Sequence, residues 1–297
     1  MKNTYILLFM FLFFLGITSA QNNTRALNII AFGAHPDDCD AKFGGTAALY
    51  AKMGHKVKFV SLTNGDAGHQ SMGGGVLGKR RRAEAQNAGK ILGVSYDVLD
   101  NHDGELIPTL KVRHQVIRKI REWDADIVLG LRPNDYHPDH RNAGIVVQDA
   151  AYLVIVPNVT SDTPALKKNP VFLYMKDNFQ KPYPFSTDIA VIIDDVVDQK
   201  IKALSAHESQ MFEWLPWVRG DQEKDIPIGE TERLAWLKNN YAPKLNLTEK
   251  ERSSVKKWYP NFESTAVKHI EFFEICEYGK QPTDAEIKQL FPMLGKI

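Results

Sequence analysis

The segment ALNIIAFGAHPDDCDAKFGG (residues 26–45) joins an apolar run to a tight cluster of polar side chains. Its first nine residues are rich in Ile, Ala and Leu, which predicts a strand buried on both faces of a sheet. His35, Asp37 and Asp38 follow directly. The segment therefore predicts a buried strand whose carboxyl end carries one imidazole and two carboxylates.

The same strand-then-helix pattern repeats through residue 156. Strands are expected at 26–34, 55–65, 95–100 and 124–131, and helices at 40–54, 79–92, 109–123 and from about 142. Strands that alternate with helices form parallel βαβ units with right-handed crossovers and helices on both faces of the sheet. We therefore predict an α/β fold, a Rossmann-like three-layer sandwich around a mostly parallel sheet.

The pattern is less regular beyond residue 156. Further strands are expected at 170–175, 186–194 and 267–279, and an amphipathic helix at 195–210. The segment MFEWLPWVRGDQEKDIPIG (211–229) is aromatic and then polar, which favours a surface loop over a site. No linker divides residues 21–297, which are predicted to form a single domain.

The first twenty residues have the pattern of a secretory signal peptide. Lys2 precedes the apolar run YILLFMFLFFLG, and ITSAQ supplies small residues for a signal peptidase. Cleavage after Ala20 is expected, which makes Gln21 the first residue of a secreted or periplasmic protein without stable membrane insertion. The alternative is an uncleaved anchor, although the apolar run is short for a membrane span.

Net charge and cysteine content narrow the possibilities further. Cleavage would remove Lys2, so Lys and Arg fall from 37 to 36 and match the 36 Asp and Glu. This balance does not favour nucleic-acid binding, which needs a concentrated positive field. Cys39 and Cys276 can pair in an exported protein. Two buried free thiols are favoured, because a bridge would constrain the loop that carries the polar cluster.

A second polar cluster repeats the first one. LRPNDYHPDHR (131–141) follows the fourth predicted strand and contains His137, Asp139 and His140. Since ligand sites of open α/β sheets form at the carboxyl ends of the strands, the two His-Pro-Asp sequences are expected at one edge of the sheet. One such sequence is usually a turn with a capping aspartate. Two of them, with an extra carboxylate, indicate a metal site.

The residue types in the two clusters match the ligand chemistry of zinc. A catalytic zinc commonly has three imidazole or carboxylate ligands and a water. His35 and Asp38, three residues apart on a tight turn, can bind one ion together with His140 from the second cluster. One zinc ion per chain is therefore expected, with another divalent ion as the alternative.

The remaining polar residues of the clusters suit proton transfer. Asp37 can accept a proton from a water activated by the metal. His137 is placed to protonate a leaving group or to stabilise an oxyanion. Asp139 is expected to orient the His137 ring and to raise its pKa.

Four motifs occur in a characteristic order: AHPDDCDAKFGGT, LTNGDAG, RRAEAQNAGKILGV and HPDHR. With them the chain resembles the PIG-L/LmbE-like family of zinc-dependent de-N-acetylases over residues 30–141. KALSAHESQ matches a later family segment, and EFFEICEYG matches weakly. The family includes enzymes that deacetylate N-acetylglucosaminyl-phosphatidylinositol and the N-acetylglucosaminyl-inositol or -malate precursors of bacterial thiols.

The resemblance implies roles that agree with those derived from ligand chemistry. The metal ligands are His35, Asp38 and His140, with Asp37 as the base and His137 as the acid or oxyanion partner. The resemblance also implies that Arg81 and Asp103 hold substrate hydroxyls. An ion pair of Arg81 with Glu84 and a turn at Asp103 are the structural alternatives. Asp40 stands where the family usually has glutamate.

These features predict an exported zinc amidohydrolase. Its substrate would be a small molecule or oligosaccharide with an N-acetylated amino sugar of the N-acetylglucosamine type, giving acetate and a free amine. Two alternatives are a zinc-dependent hydratase of an unsaturated dicarboxylic acid and a catalytically inactive sugar-binding protein. Trp214 and Trp217 can form a sugar-stacking rim or pack onto the body of the protein. An oligomer is compatible with the sequence.

Overall fold

The structure is a computed structural model that describes residues 25–242, 246–261 and 267–296. The expected signal peptide (1–20) lies outside the described residues, so its cleavage stays a prediction. Among the residues described, no helix is long and apolar enough to cross a membrane. The prediction of a single domain over 21–297 is likewise left as a prediction.

A seven-stranded sheet forms the centre of the described part of the chain. Its strands are β1 (Asn28–Gly33), β2 (Lys56–Thr63), β3 (Ser95–Asn101), β4 (Ile127–Gly130), β5 (Val171–Met175), β6 (Ile189–Ile192) and β7 (Ile270–Gly279). Their order across the sheet is β3-β2-β1-β4-β5-β7-β6. The first five are parallel, and β7 is antiparallel to β5 and β6. The predicted α/β fold with a mostly parallel sheet is confirmed.

Helices connect the strands and continue the chain after them. They are α1 (Asp38–Lys52), α2 (Gly74–Leu92), α3 (Leu110–Glu122), α4 (Pro138–Leu153), α5 (Val197–Ser205), α6 (Leu215–Arg219), α7 (Glu230–Tyr241), α8 (Glu249–Trp258) and α9 (Asp284–Leu290). Helix α4 begins four residues earlier than expected, because Pro138 suits the first helical position and the His137 side chain caps it. His140 therefore lies in the first turn of a helix.

The segment expected to be a surface loop (211–229) is partly helical instead. Ser209–Trp214 forms a π-helix, and α6 follows it directly. The expectation was wrong because tertiary contacts order this segment: Arg80 on α2 makes two hydrogen bonds to Glu213. Arg80 also pairs with Glu84 on the same helix, at 3.0 Å.

The apolar core surrounds the sheet, and both cysteines belong to it. Residues 29–32 of β1 are fully buried. Cys39 and Cys276 are buried and free, as expected. Helix α1, which carries Asp38, is fixed to β7 by Glu271, whose carboxylate accepts hydrogen bonds from the backbone N–H groups of residues 45 and 46 and lies 2.7 Å from the Lys200 ammonium.

The strand order reverses direction between β1 and β4. One neighbour of β1 is β2, which follows it in the chain, and the other is β4. The loops that leave β1 and β4 therefore diverge to opposite sides and leave a crevice at their carboxyl ends. Such a point is where open α/β sheets bind ligands.

Candidate active site

The crevice between β1 and β4 brings the three predicted metal ligands together. His35 Nδ1 lies 3.2 Å from His140 Nε2, although the two residues are 105 positions apart. Asp38 Oδ1 lies 3.4 Å from His140 Nε2, and Asp38 Oδ2 lies 3.8 Å from His35 Nδ1. All three side chains are buried. Two imidazole nitrogens and the Asp38 carboxylate thus lie close together.

These distances fit a tetrahedral metal ion. With bonds of about 2.0–2.1 Å to His and Asp, a tetrahedral zinc separates its ligand atoms by about 3.3–3.4 Å. The backbone N–H groups of Ala34 and His35 donate to Asp38 Oδ2. This leaves Oδ1 to face His140, so the Asp38 carboxylate is oriented before any ion binds.

Outer contacts select the nitrogen that each histidine presents to the crevice. His35 Nε2 lies 2.9 Å from Asp103 Oδ1 and 3.2 Å from Asp139 Oδ2. His140 Nδ1 lies 3.1 Å from Asp135 Oδ1. A metal-bound imidazole commonly donates its other N–H to a carboxylate in this way. His35 Nδ1 and His140 Nε2 therefore remain for the ion.

The charge around His35 also favours a cation. Burial alone would lower the pKa of His35, but hydrogen bonds to Asp103 and Asp139 and the charge of Asp38 raise it to about 10. The surrounding carboxylates thus favour a second proton, and with it a positive charge, on this imidazole. A divalent ion would supply that positive charge and take the place of the proton.

Asp139 does not orient His137, contrary to the expectation. Its carboxylate contacts His35 and accepts the backbone N–H groups of Gly104 and Leu106 at 2.7 and 3.1 Å. The pKa of His137 is lowered, not raised, because burial and the nearby His35 and His140 outweigh the charge of Asp139. The hydrogen bonds of the Asp139 carboxylate are thus made to His35 and to the backbone.

His137 is oriented by the backbone instead. Its Nδ1 accepts the N–H of Asp139 at 3.2 Å, in a helix-capping interaction. The ring proton of neutral His137 therefore lies on Nε2. Its ring centroid is 4.7 Å from that of His35. His137 is placed as a neutral hydrogen-bond donor beside the three ligand atoms.

Two other groups of side chains have the composition of a metal site. His35, His137 and His140 form one group, and His35, Asp103 and Asp139 form the other, each with ligand atoms within 4.8 Å of one another. The second group would use His35 Nε2 and an Asp139 carboxylate whose oxygens already accept two backbone N–H groups. The set with Asp38 leaves those hydrogen bonds intact and is the one we favour.

Asp37 lies beside the ligand atoms in a strained backbone conformation. Its φ is 136°, which is costly for a residue other than glycine. The Asp37 N–H donates to the Tyr96 hydroxyl at 3.1 Å, and that hydroxyl donates to Asp40 Oδ2 at 3.0 Å. His207 Nε2 lies 3.2 Å from the same Asp40 oxygen. Asp40, Tyr96 and His207 form a buried network behind Asp37.

The electrostatic environment of Asp37 suits a proton acceptor. Burial and the charge of Asp38 raise the pKa of Asp37 to about 6. A general base works best when its pKa lies near the operating pH. The sequence identified Asp37 directly, whereas it gave no role to His207 and none to Tyr96 or Asp135. Asp135 could have been noticed in the sequence, because it is an acidic residue two positions before His137.

The two residues predicted to hold substrate line the same cavity. A cavity of 340 Å³ is bounded by the ligand residues, Arg81, Asp103, Gln210 and Trp214. Arg81 Nη2 donates to Gly68 O at 2.7 Å and to the Gln210 side chain. The ion pair with Glu84 is made by Arg80 and not by Arg81.

The glycines of LTNGDAG allow the loop to pack against Arg81. A Cβ atom on Gly65 would lie 2.5 Å from Arg81 Cδ, and the φ of Gly65 is +71°. Asp66 in the same loop accepts the N–H of Asp103 at 3.0 Å. The motif thus positions both sides of the cavity.

Comparison with known proteins gives a consistent picture. Residues 30–151 match the profile of the PIG-L family, described as GlcNAc-PI de-N-acetylase. The chain is 31% identical over 202 residues to the diacetylchitobiose deacetylase of Thermococcus kodakarensis, covering 64% of this chain and 74% of that protein.

Solved structures share the fold at lower identity. The N,N′-diacetylchitobiose deacetylase from Pyrococcus horikoshii aligns with a TM-score of 0.61 and 22% identity, covering 84% of this chain and 83% of that one. GalB, the 4-carboxy-2-hydroxymuconate hydratase from Pseudomonas putida KT2440, aligns with a TM-score of 0.62 and 20% identity, covering 87% and 98%. At these identities the likeness shows the fold alone.

The ligand assignment predicts the metal content of a variant. Purified protein should contain about one divalent ion per chain, and His140→Ala should lose it because one of three protein ligands is gone. His114→Ala, which removes an imidazole from α3, is the matched control and should keep the ion. Elemental analysis of the three preparations measures this. Full metal occupancy in His140→Ala would contradict the assignment.

The network behind Asp37 predicts a loss of turnover without a loss of metal. Tyr96→Phe removes the acceptor of the Asp37 N–H, so kcat should fall about tenfold, or about 1.4 kcal/mol. Tyr50→Phe is the control, because it removes a buried hydroxyl that donates to Leu290 O, away from the site. It should lower the melting temperature but not kcat. Equal kcat values for the two variants would refute a positioning role for Tyr96.

Proposed function

The chain belongs to the PIG-L/LmbE-like family of de-N-acetylases, and we propose that it is a zinc-dependent amidohydrolase that removes acetyl from an N-acetylglucosamine-type sugar. The observation that carries this proposal is the convergence of His35 Nδ1, His140 Nε2 and the Asp38 carboxylate, with Asp37 left uncommitted beside them. The 31% identical relative, named as a diacetylchitobiose deacetylase, supports this substrate class.

Each residue near the ligand set has a separate task in the reaction. A zinc ion held by His35, Asp38 and His140 would supply a Lewis acid and lower the pKa of a water. The Asp37 carboxylate takes a proton from the attacking water while the oxygen of that water bonds to the acetyl carbon. The C–N bond then breaks, and the proton passes from Asp37 to the departing nitrogen. Water and the amide are converted to acetic acid and a free amine.

His137 stabilises the oxygen of the acetyl group during this step. Its neutral ring carries the proton on Nε2, because Nδ1 accepts the Asp139 N–H. A neutral donor can hydrogen-bond a developing oxyanion without giving up its proton. The lowered pKa of His137 favours this role over that of a general acid.

A hydratase is the second candidate, because GalB shares the fold. The same candidate ligand residues and the base Asp37 would also suit the addition of water to the double bond of an unsaturated dicarboxylic acid. The fold does not separate the two reactions, and the relative with the higher identity favours deacetylation. An inactive sugar-binding protein is less consistent with a site that keeps all three ligands and the base.

The decisive assay is acetate release from a panel of N-acetylated sugars, with zinc added or removed by a chelator. Wild-type protein should release acetate, and this activity should be lost when the chelator removes the metal. Asp37→Asn should keep the metal, because the amide is nearly isosteric, and should lower kcat by roughly two to four orders of magnitude. Metal content and kcat are measured on the same preparation.

Three outcomes would count against parts of this account. Metal lost together with activity in Asp37→Asn would make Asp37 a ligand or a support for one. Metal kept with near-normal activity would mean that another group accepts the proton. Consumption of an unsaturated dicarboxylate without acetate release from any sugar would favour the hydratase.

We further propose that the protein acts outside the cytoplasm. The support is the sequence pattern of residues 1–20, with a basic start, an apolar run and small residues before Gln21. The mass of the protein purified from its source cells should correspond to a chain that begins at Gln21. An intact Met1 on a membrane-bound protein would favour an anchor and contradict cleavage.

A further inference from the structure

Two tryptophan rings lie at the junction of the candidate active site and a second cavity. Trp214 lines the active-site cavity, and Trp217 lines an adjoining groove of 590 Å³. The two rings are stacked, with centroids 5.3 Å apart and planes inclined by 16°. We refer to this pair as the tryptophan shelf. The stacking contact therefore places the groove next to the active-site cavity.

Trp217 is the exposed member of the shelf. Trp217 is 56% exposed, although Trp side chains are on average well buried. Its stacking on Trp214 uses only one face of the ring. Cavities of 300–1,000 Å³ next to an aromatic surface are typical of small-molecule sites, and the groove lies within that range.

The shelf stands on a rigid support. The π-helix Ser209–Trp214 is held to α2 by Glu213, which pairs with Arg80, and by Gln210, which binds Arg81. π-Helical turns are often found at functional sites. The Gln210 contact connects this support to Arg81 in the active-site cavity, so the position of the shelf is fixed relative to the site.

The groove is also lined by polar groups. Gln70 and Ser71 line it and are exposed. Their loop is ordered by His69, whose Nδ1 accepts the N–H groups of Ser71 and Met72 at 3.1 Å each. His69 Nε2 also lies 2.7 Å from Glu213 Oε2, so this loop is joined to the π-helix that supports the shelf. The groove thus combines an aromatic face with fixed hydrogen-bonding groups.

We propose that the tryptophan shelf and this groove form an outer subsite for a second sugar ring, attached to the N-acetylated sugar in the active site. A pyranose ring has an apolar face that can pack on indole and hydroxyls that can bind Gln70 and Ser71. The inference rests on the proposed function and narrows its substrate class to oligosaccharides and glycoconjugates. A sugar chain is supported as the occupant because Trp214 of the active-site cavity contacts Trp217 of the groove, so the two cavities are neighbours.

The test compares a monosaccharide with a disaccharide. Acetate release is measured for N-acetylglucosamine and N,N′-diacetylchitobiose, and the ratio of their kcat/KM values is compared between proteins. Trp217→Ala should lower the preference for the disaccharide about tenfold, because stacking on the ring is lost. Trp217→Phe should restore part of it.

Tyr152→Ala is the matched control for this comparison. Tyr152 is 71% exposed on α4 and lines none of the cavities discussed here, so its removal should not change the ratio. A ratio in Trp217→Ala equal to that of wild type would overturn the subsite. A wild-type protein that deacetylates only the monosaccharide would also overturn it while leaving the proposed function intact.

The subsite can still be tested if the protein is not a deacetylase. If no N-acetylated sugar releases acetate, the deacetylase proposal is contradicted, and titration calorimetry with N,N′-diacetylchitobiose still tests the subsite. Binding that weakens about tenfold in Trp217→Ala would support the subsite. Equal affinity in wild type and variant, or no binding to wild type, would overturn it.

Discussion

The pairing of β1 with β4 is the constraint on which the site depends. Because Ile29 pairs with Ile127 and Ala31 with Leu129, the two strands end side by side at the same edge of the sheet. His35 and His140 then need only a few residues of loop and helix to meet at 3.2 Å. A change of register between these strands would separate the ligand set, whatever the chemistry of its members.

The site concentrates features that destabilise a protein elsewhere. Asp37 is strained at φ 136°, and the Asp38 carboxylate is buried next to it. The cost is offset by a buried network that holds the Asp37 backbone and by N–H groups that hold Asp38. Strain and buried charge that the surroundings keep in place are typical of functional sites.

The sequence predicted the fold, and it predicted a set of candidate ligands that the structure brings together, but it did not predict the outer contacts. Alternation of strands and helices, and the end-of-strand position of His35 and His140, follow from local pattern and the geometry of parallel sheets. Which imidazole the Asp139 carboxylate contacts depends on distances in space, which the sequence does not show. The contact is with His35, so the expected contact with His137 was wrong. The π-helix at Ser209–Trp214 was missed because contacts with α2, distant in sequence, order it.

The most direct test of the account is a crystal structure of zinc-loaded protein with anomalous data at the zinc edge. The account predicts one peak about 2.0–2.2 Å from His35 Nδ1, His140 Nε2 and an Asp38 oxygen, with the Asp37 carboxylate uncoordinated. A peak bound by His35 Nε2 with Asp103 and Asp139, or one coordinated by Asp37, would contradict it.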